Sequence, residues 1–287
     1  LIDADARRRR RTKEVPVNPG HSERRRLHTV HPTRYLILSD IHANVAALWA
    51  VMRASFRTFR PHVVVVAGDI VGYGPDPRLV VHALRRSVPL LGATLVAVDG
   101  NHDREARDKE APCHMHADAA ACLDLNRQAM TSSDAAFLRG LPEWVTVGPF
   151  TVAHDPAGDH GYVFYPEDAH EALQAVSTPH AIVGHTHVPG YFAARGEGVE
   201  GVSRFVRFRD GDTLTFASGT RYVLNPGSVG QPRDGDRRAA YLEITTHADG
   251  ATVVHARRAA YDIATTQKRM CVRGYPIKMA TRLSDGE

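Results

Sequence analysis

The sequence predicts an α/β fold of two packed β-sheets flanked by helices, on three observations. Short apolar runs alternate with segments of helical periodicity through the first half, the βαβ pattern. After residue 190 the texture changes to short β-type runs separated by turn signals. At 287 residues, 43% of them hydrophobic, the chain can bury a substantial core.

Taken in order, Tyr35–Ser39, Val63–Ala67 and Leu95–Val98 read as strands buried on both faces. Asn44 is a good N-cap, and Val45, Leu48, Met52 and Phe56 then fall at helical spacing. Leu79, Val80, Ala83 and Leu84 predict a second helix that ends before Pro89. Residues 117–140 read as one or two helices, with Ser132 or Ser133 as a cap. Strands follow at Val145–Val147, Thr151–Ala153 and Ala181–Val183, with a helix at Pro166–Val176. The β-rich half contributes Phe205–Phe208, Thr213–Phe216, Tyr222–Leu224, Ala240–Ile244 and Val253–Ala256, with Asp210-Gly211 and Asp249-Gly250 as turns.

Both ends differ from this middle. Residues 1–33 carry eight Arg and one Lys against two Asp and two Glu, a net of +5 within a chain total of +4. With no apolar periodicity, that segment is expected to be a disordered basic tail, and the body is close to neutral. A body of that charge argues against a nucleic-acid-binding role. A loose C-terminal tail is expected over 266–287, which leaves 34–265 as the folded domain. No apolar run reaches the roughly 18 residues of a membrane span. The three cysteines form no paired framework, which points to a reducing, cytoplasmic setting.

Chemistry concentrates just past the strands. Asp40-Ile41-His42, Gly68-Asp69, Gly100-Asn101-His102-Asp103, His154 and Gly184-His185-Thr186-His187 all follow apolar runs or the turns after them. Seven of these residues are potential ligands built from Asp, Asn and His, without thiolate, a set that suits a hydrolytic pair of divalent cations. In extended backbone, residues two apart point to one side, so Asp40 with His42, and His185 with His187, are expected to face the same way. A carboxylate such as Asp69 has two oxygens with which to bridge two ions. Five of the 17 histidines fall within the blocks; the other 12 are expected to be surface or core residues. Cys113-His114-Met115-His116 lacks partners for a metal cluster and reads as a solvent-facing segment.

This order of blocks, D-x-H, G-D, G-N-H-D, a lone His and G-H-x-H, resembles the calcineurin-like metallophosphoesterases across roughly residues 34–245. The resemblance implies a four-layer αββα sandwich of two mixed sheets. It places Asp40, His42, Asp69 and His187 on one metal, and Asp69, Asn101, His154 and His185 on a second. It makes His102 the acid that protonates the leaving oxygen, with Asp103 as its orienting partner. The implied reaction is in-line attack on phosphorus by a hydroxide shared between two ions, with manganese, iron(II) or zinc all suiting the ligands.

Gly72-Tyr73-Gly74-Pro75 stands where protein phosphatases and symmetric diadenosine tetraphosphatases carry Asp-Arg-Gly, so their phosphate-gripping Arg is absent. That stretch and the turn Asn225–Arg233 resemble instead the small bacterial and archaeal phosphodiesterase-like branch. A small phosphodiester or nucleotide is therefore the expected substrate. The alternatives are a phosphomonoester, protein or diadenosine-polyphosphate phosphatase, and a metal-binding scaffold for a partner protein. The turn at 225–233 is either structural or an anion site built from backbone N–H groups. Arg104, Arg221 and Arg233 lie near the blocks as phosphate-contact candidates. Two positions depart from the branch: Ala43 and Asp155 stand where Gly is usual, the latter at a turn that Asp can take in left-handed form.

Overall fold

A computed structural model describes residues 32–107, 115–156 and 161–287. The chain runs β1 (Thr33–Leu38), α1 (Val45–Thr58), β2 (Val63–Ala67), α2 (Pro77–His82), a π-helical turn (Ala83–Ser87), α3 (Val88–Leu90) and β3 (Thr94–Val98). Next come α4 (Asn101–Arg107), α5 (Ala117–Ala129), α6 (Ser132–Arg139), β4 (Trp144–Val147), β5 (Phe150–Ala153), α7 (Pro166–Gln174) and β6 (His180–Ile182). The β-rich half holds β7 (Gly190–Arg195), β8 (Val206–Arg207), β9 (Thr213–Thr215), β10 (Thr220–Asn225), β11 (Ala239–Thr246) and β12 (Thr252–Ala259). Helices α8 (Ile263–Val272) and α9 (Ile277–Asp285) end the chain.

Two mixed six-stranded sheets result, ordered β3-β2-β1-β11-β12-β9 and β4-β5-β6-β10-β7-β8. In the first, β1, β2 and β3 are parallel while β11, β12 and β9 run antiparallel to their neighbours. Alternation along each strand divides the apolar residues between two faces. Ile37, Val65, Leu242 and Ile244 of one sheet meet Phe150, Val152, Ile182 and Leu224 of the other in the inter-sheet core. Leu36, Leu38, Val64 and Val66 point the opposite way, against Leu48, Val51 and Met52 of α1. On the far side Ala169, Ala172 and Leu173 of α7 cover Ala181, Phe192 and Val223. The layers are therefore α, β, β and α, as expected.

Several local expectations change. Thr131, not Ser132 or Ser133, caps α6, through a capping box with Asp134. The second helix does not stop before Pro89; a π-helical turn and α3 carry it past, with the Val88 N–H bonded to Ala83 five residues back. β7 was not anticipated, because its Gly-Tyr-Phe-Ala-Ala-Arg sequence lacks a run of β-branched residues. The loose end expected at 266–287 is instead mostly helical: Met270, Tyr275, Met279, Ala280 and Leu283 pack with Cys122 into a core of their own. Its apolar residues recur at helical spacing, a signal the basic surface residues mask. The expected basic tail falls, save residues 32 and 33, outside the described residues, as do Cys113 and His114. Among the described residues no helix is long and apolar enough to cross a membrane.

Candidate metal centre

The site is built on turns that leave the carboxyl ends of parallel strands, where open α/β sheets carry their ligands. Asp40 and His42 follow β1, Asp69 follows β2, Asn101 to Asp103 open α4 after β3, and His154 follows β5. His185 and His187 lie between β6 and β7. The backbone there is not extended. Asp40, His42, Asp69, His185 and His187 all have φ between 47° and 72°. Asp and His tolerate this left-handed region better than most residues, and it lets a short turn fold side chains inward.

Asp40 and His42 do converge, Oδ1 to Nε2 3.8 Å, but by left-handed turning rather than by strand alternation. His185 and His187 do not face the same way. His187 Nε2 sits 3.1 Å from Asp40 Oδ1 and 3.1 Å from His42 Nε2. The His185 ring packs against His154, centroids 5.0 Å apart. Asp69 lies between the two groups, its Oδ2 3.7 Å from His42 Nε2 and 3.3 Å from His154 Nε2. Potential ligand atoms thus cluster as Asp40, His42 and His187; as Asp69, His154 and His185; and as His42, Asp69 and His102.

Three rings are fixed by their other nitrogen. The Nδ1 atoms of His42, His154 and His187 meet the carbonyls of Val71 (3.2 Å), Ala67 (2.8 Å) and Gln231 (2.5 Å). A ring that gives its Nδ1–H to a carbonyl presents a bare Nε2 lone pair, as metal-binding histidines do. Asp69 Oδ1 accepts the His102 N–H at 2.9 Å, and Asp40 Oδ2 accepts the His185 N–H at 3.2 Å, which leaves one oxygen of each facing inward. The geometry depends on glycine where rings crowd the backbone: a Cβ on Gly68, at φ +81°, would stand 2.6 Å from His154 Nδ1.

Several buried polar atoms of the site have no hydrogen-bond partner. Asp40 Oδ1, Asn101 Oδ1, His154 Nε2 and His185 Nε2 are all buried and unpaired. Four such atoms, from residues on the turns around Asp69, are unfavourable in a protein interior, and oxygen and imidazole nitrogen donors of this kind fit cations as partners. Burial pushes His102 and His185 down to about 4, so both rings are neutral near pH 7. Burial likewise lowers His42 and His187, helped by His102 and Arg233 respectively. His154 runs the other way. Burial opposes its charge, but Asp69 and Asp40 raise it to about 10, so that without metal a proton takes the position a cation would fill. Asp69 is held well below the usual carboxylate range: burial opposes this, and His154 and His102 outweigh it.

Asp103 does not orient His102. Its carboxylate accepts the backbone N–H groups of Ile70, Val71 and Gly100 at 3.0, 3.0 and 3.1 Å, which pins the turn after Asp69. Burial, then the charge of Asp69, push it up to about 7 despite those bonds. His102 Nδ1 is left unpaired and buried. Its ring lies instead between Tyr73 and His42, at centroid distances of 4.6 and 4.8 Å. The turn at 225–233 proves structural at its centre. The Val229 and Gly230 N–H groups bond to the carbonyls of Ser39 and Asp40, so they are spent on the backbone and not free for an anion.

Of the three candidate arginines only Arg233 borders the site cavity, which holds about 220 Å³. Arg104 is tied to Asp99 at 2.9 Å and Asp155 at 2.5 Å, and Arg221 to the carbonyls of Val176, Thr178 and Pro179. Asp155 is not in left-handed backbone; Ala43 is, at φ 51°. Two site residues escaped the sequence reading. Tyr162 stacks on His185 at 3.9 Å and 19°, and His116, expected to face solvent, is exposed at the cavity mouth. A cavity of about 720 Å³ beside α2 and α5 contains none of the clustered residues.

Known proteins share this fold. Residues 34–247 match the calcineurin-like phosphoesterase superfamily domain. The crystal structure of a metallophosphoesterase from Sphaerobacter thermophilus superposes with a TM-score of 0.75 at 34% identity, covering 90% of this chain and 100% of that one. A hypothetical protein from Pyrococcus horikoshii has the same fold, with a TM-score of 0.70 at 16% identity over 89% of this chain and 99% of that one. An uncharacterized protein of Methanocaldococcus jannaschii is 26% identical over 262 residues, 86% of this chain and 96% of its own length.

Proposed function

The chain belongs to the calcineurin-like phosphoesterase superfamily, and from that membership we propose that it is a phosphodiesterase dependent on two divalent cations. Its substrate is a small phosphodiester or nucleotide. One observation carries the reading: bare imidazole nitrogens and unpaired carboxylate and amide oxygens converge from five turns around Asp69. Asp40, His42, Asp69 and His187 would hold one ion, and Asp69, Asn101, His154 and His185 the other. When bound, the cations supply positive charge to the phosphoryl oxygens and lower the pKa of water; manganese, iron(II) and zinc all suit these ligands.

The protein groups supply the rest. Asp69, anchored by the His102 N–H, fixes the spacing of the two ligand clusters. Arg233 presents a guanidinium to the cavity for a phosphoryl oxygen. We assign His102 to protonate the departing alkoxide, a step that requires its imidazolium form, which the negative charge of the bound phosphoryl group favours, and Tyr73 packed on its ring keeps it in place. Tyr73 occupies the position of the missing phosphate-gripping Arg. With one guanidinium rather than two, the site suits the single charge of a diester better than the double charge of a monoester.

The test is to strip the protein, reload it with manganese, and compare bis-p-nitrophenyl phosphate with p-nitrophenyl phosphate. The diester should have the higher kcat/KM, and His102→Ala should lower diester turnover by about 10²-fold or more. Preference for the monoester overturns the diester assignment. A metal-loaded protein inert towards both esters favours the scaffold reading.

A further inference from the structure

The cavity at the metal centre does not end at the clustered residues. Through Tyr73, His116, Ala119 and Arg233 it continues into a second hollow of about 210 Å³, whose far wall is α9. That helix lies beyond residue 247, where the family match stops. It places Lys278, Met279 and Arg282 opposite Arg233.

The charges in this annex are unbalanced. Arg233, Lys278 and Arg282 line it against one carboxylate, Asp118. Arg233 reaches only neutral groups, Gln231 Oε1 at 3.2 Å and Tyr73 Oη at 3.4 Å, and its Nε is buried and unpaired. Arg282 donates from Nε to a main-chain carboxyl oxygen of Glu287, the last residue of the sequence, at 2.6 Å and otherwise meets the Met279 sulfur at 3.8 Å. Among the described residues neither guanidinium has an Asp or Glu side chain within 4.0 Å. Burial, then the field of Arg233, lower the pKa of Arg282; Tyr73, Glu287 and Asp118 oppose this. A partly buried guanidinium that meets only neutral groups, Arg233, beside a second one, Arg282, whose two terminal nitrogens face no carboxylate, is unfavourable, and an anion with several acceptor oxygens relieves both at once.

We propose that the annex binds a second phosphate group of the substrate, so that this enzyme acts on phosphoesters that carry another phosphate beyond the scissile one. The proposal rests on the phosphoesterase reading for its first phosphate, and the C-terminal helix supplies the selectivity. Neither Lys278 nor Arg282 belongs to a block that the metal centre needs. Their positions on one face of α9, four residues apart, turn both toward the hollow.

The test uses two non-hydrolysable probes, propylphosphonate and propane-1,3-diylbisphosphonate, titrated calorimetrically into the manganese-loaded full chain. In Lys278→Gln/Arg282→Gln, bisphosphonate affinity should fall by about tenfold or more, while propylphosphonate affinity shifts less than about twofold. Arg282→Lys should keep most of the bisphosphonate affinity. Equal losses for both probes, or no loss for either, overturn the proposal. If the double variant does not fold, Lys278→Gln alone, at an exposed position, should still weaken the bisphosphonate selectively by about threefold, and a change in neither probe overturns the idea equally. Turnover of bis-p-nitrophenyl phosphate is followed in parallel. Selective binding by a protein that hydrolyses nothing overturns the enzyme reading and leaves the annex; turnover without selectivity does the reverse.

Discussion

The inter-sheet core and the ligand edge are made from the same strands but obey opposite rules. In the core, Ile37, Val65, Leu242, Ile244 and Val254 are completely buried and apolar, on regular strand backbone. A few residues further along, at the edge, Asp40, His42, Asp69 and His154 are as deeply buried, yet polar and partly unpaired. Strain follows the same division. Of the seven non-glycine residues with left-handed φ among those described, six are at the edge: Asp40, His42, Ala43, Asp69, His185 and His187. Each costs on the order of 1 kcal/mol, and each unpaired buried polar group about 1–3 kcal/mol more. The core offsets those costs, so the edge can hold its geometry before any ion arrives.

The sharpest way to break this comparison is Asp69→Asn. It removes the shared carboxylate oxygen and a buried negative charge while leaving an amide oxygen to accept the His102 N–H. Turnover should fall by about 10³-fold or more, since the two ligand clusters lose their common member. The metal-free variant should also unfold at a lower denaturant concentration than the metal-free parent, because protonated His154 loses the buried carboxylate that faces it at 3.3 Å. Metal content by emission spectroscopy and urea unfolding with and without chelator separate the two effects. A variant that loses stability but retains metal would mean that Asp69 is a packing residue.

The core half of the comparison is tested by Ile244→Ala. Ile244 is fully buried on β11, paired with Tyr35 and Val254, at the end of β1 remote from the ligands. The deletion should cost about 2–5 kcal/mol in urea unfolding. Metal content and kcat per folded molecule should not change. A large loss of kcat in the folded fraction would show that the edge depends on core packing in detail, and would erase the separation drawn above.

How much of this was legible in the sequence also divides along the boundary. Strands β1, β2 and β3 could be read because they are mostly apolar runs, and the histidines and carboxylates because each block follows such a run in one sheet or the other. Asp and His in short turns even foretell left-handed backbone, which the alternation argument for Asp40 and His42 overlooked. The split between His185 and His187 was not legible: it depends on two left-handed residues around Thr186, a tertiary outcome. Nor could Asp103 be placed, because the three N–H groups it accepts come from Gly100 beside it and from a turn 32 and 33 residues away. The C-terminal helices were missed since their apolar face is narrow and lies among Lys and Arg. The annex they build was therefore invisible before the fold was seen.

The smallest expected effect is the most discriminating about strain itself. Arg60 is the one left-handed non-glycine residue outside the edge among those described, at φ 53° just after α1. Its N–H closes the helix on the Ser55 carbonyl, and its own carbonyl accepts from Arg34, both backbone functions that glycine keeps. Its side chain is exposed. Glycine is the residue such a helix end prefers, so Arg60→Gly should stabilise the fold by about 0.5–1 kcal/mol without touching metal binding. The same replacement at Ala43, also left-handed, removes a fully buried methyl and should yield no comparable gain. Urea unfolding of the two variants side by side measures the difference. Equal stabilisation at both positions would mean that the edge is strained for no structural return, and that its left-handed turns are not held by the packing around them.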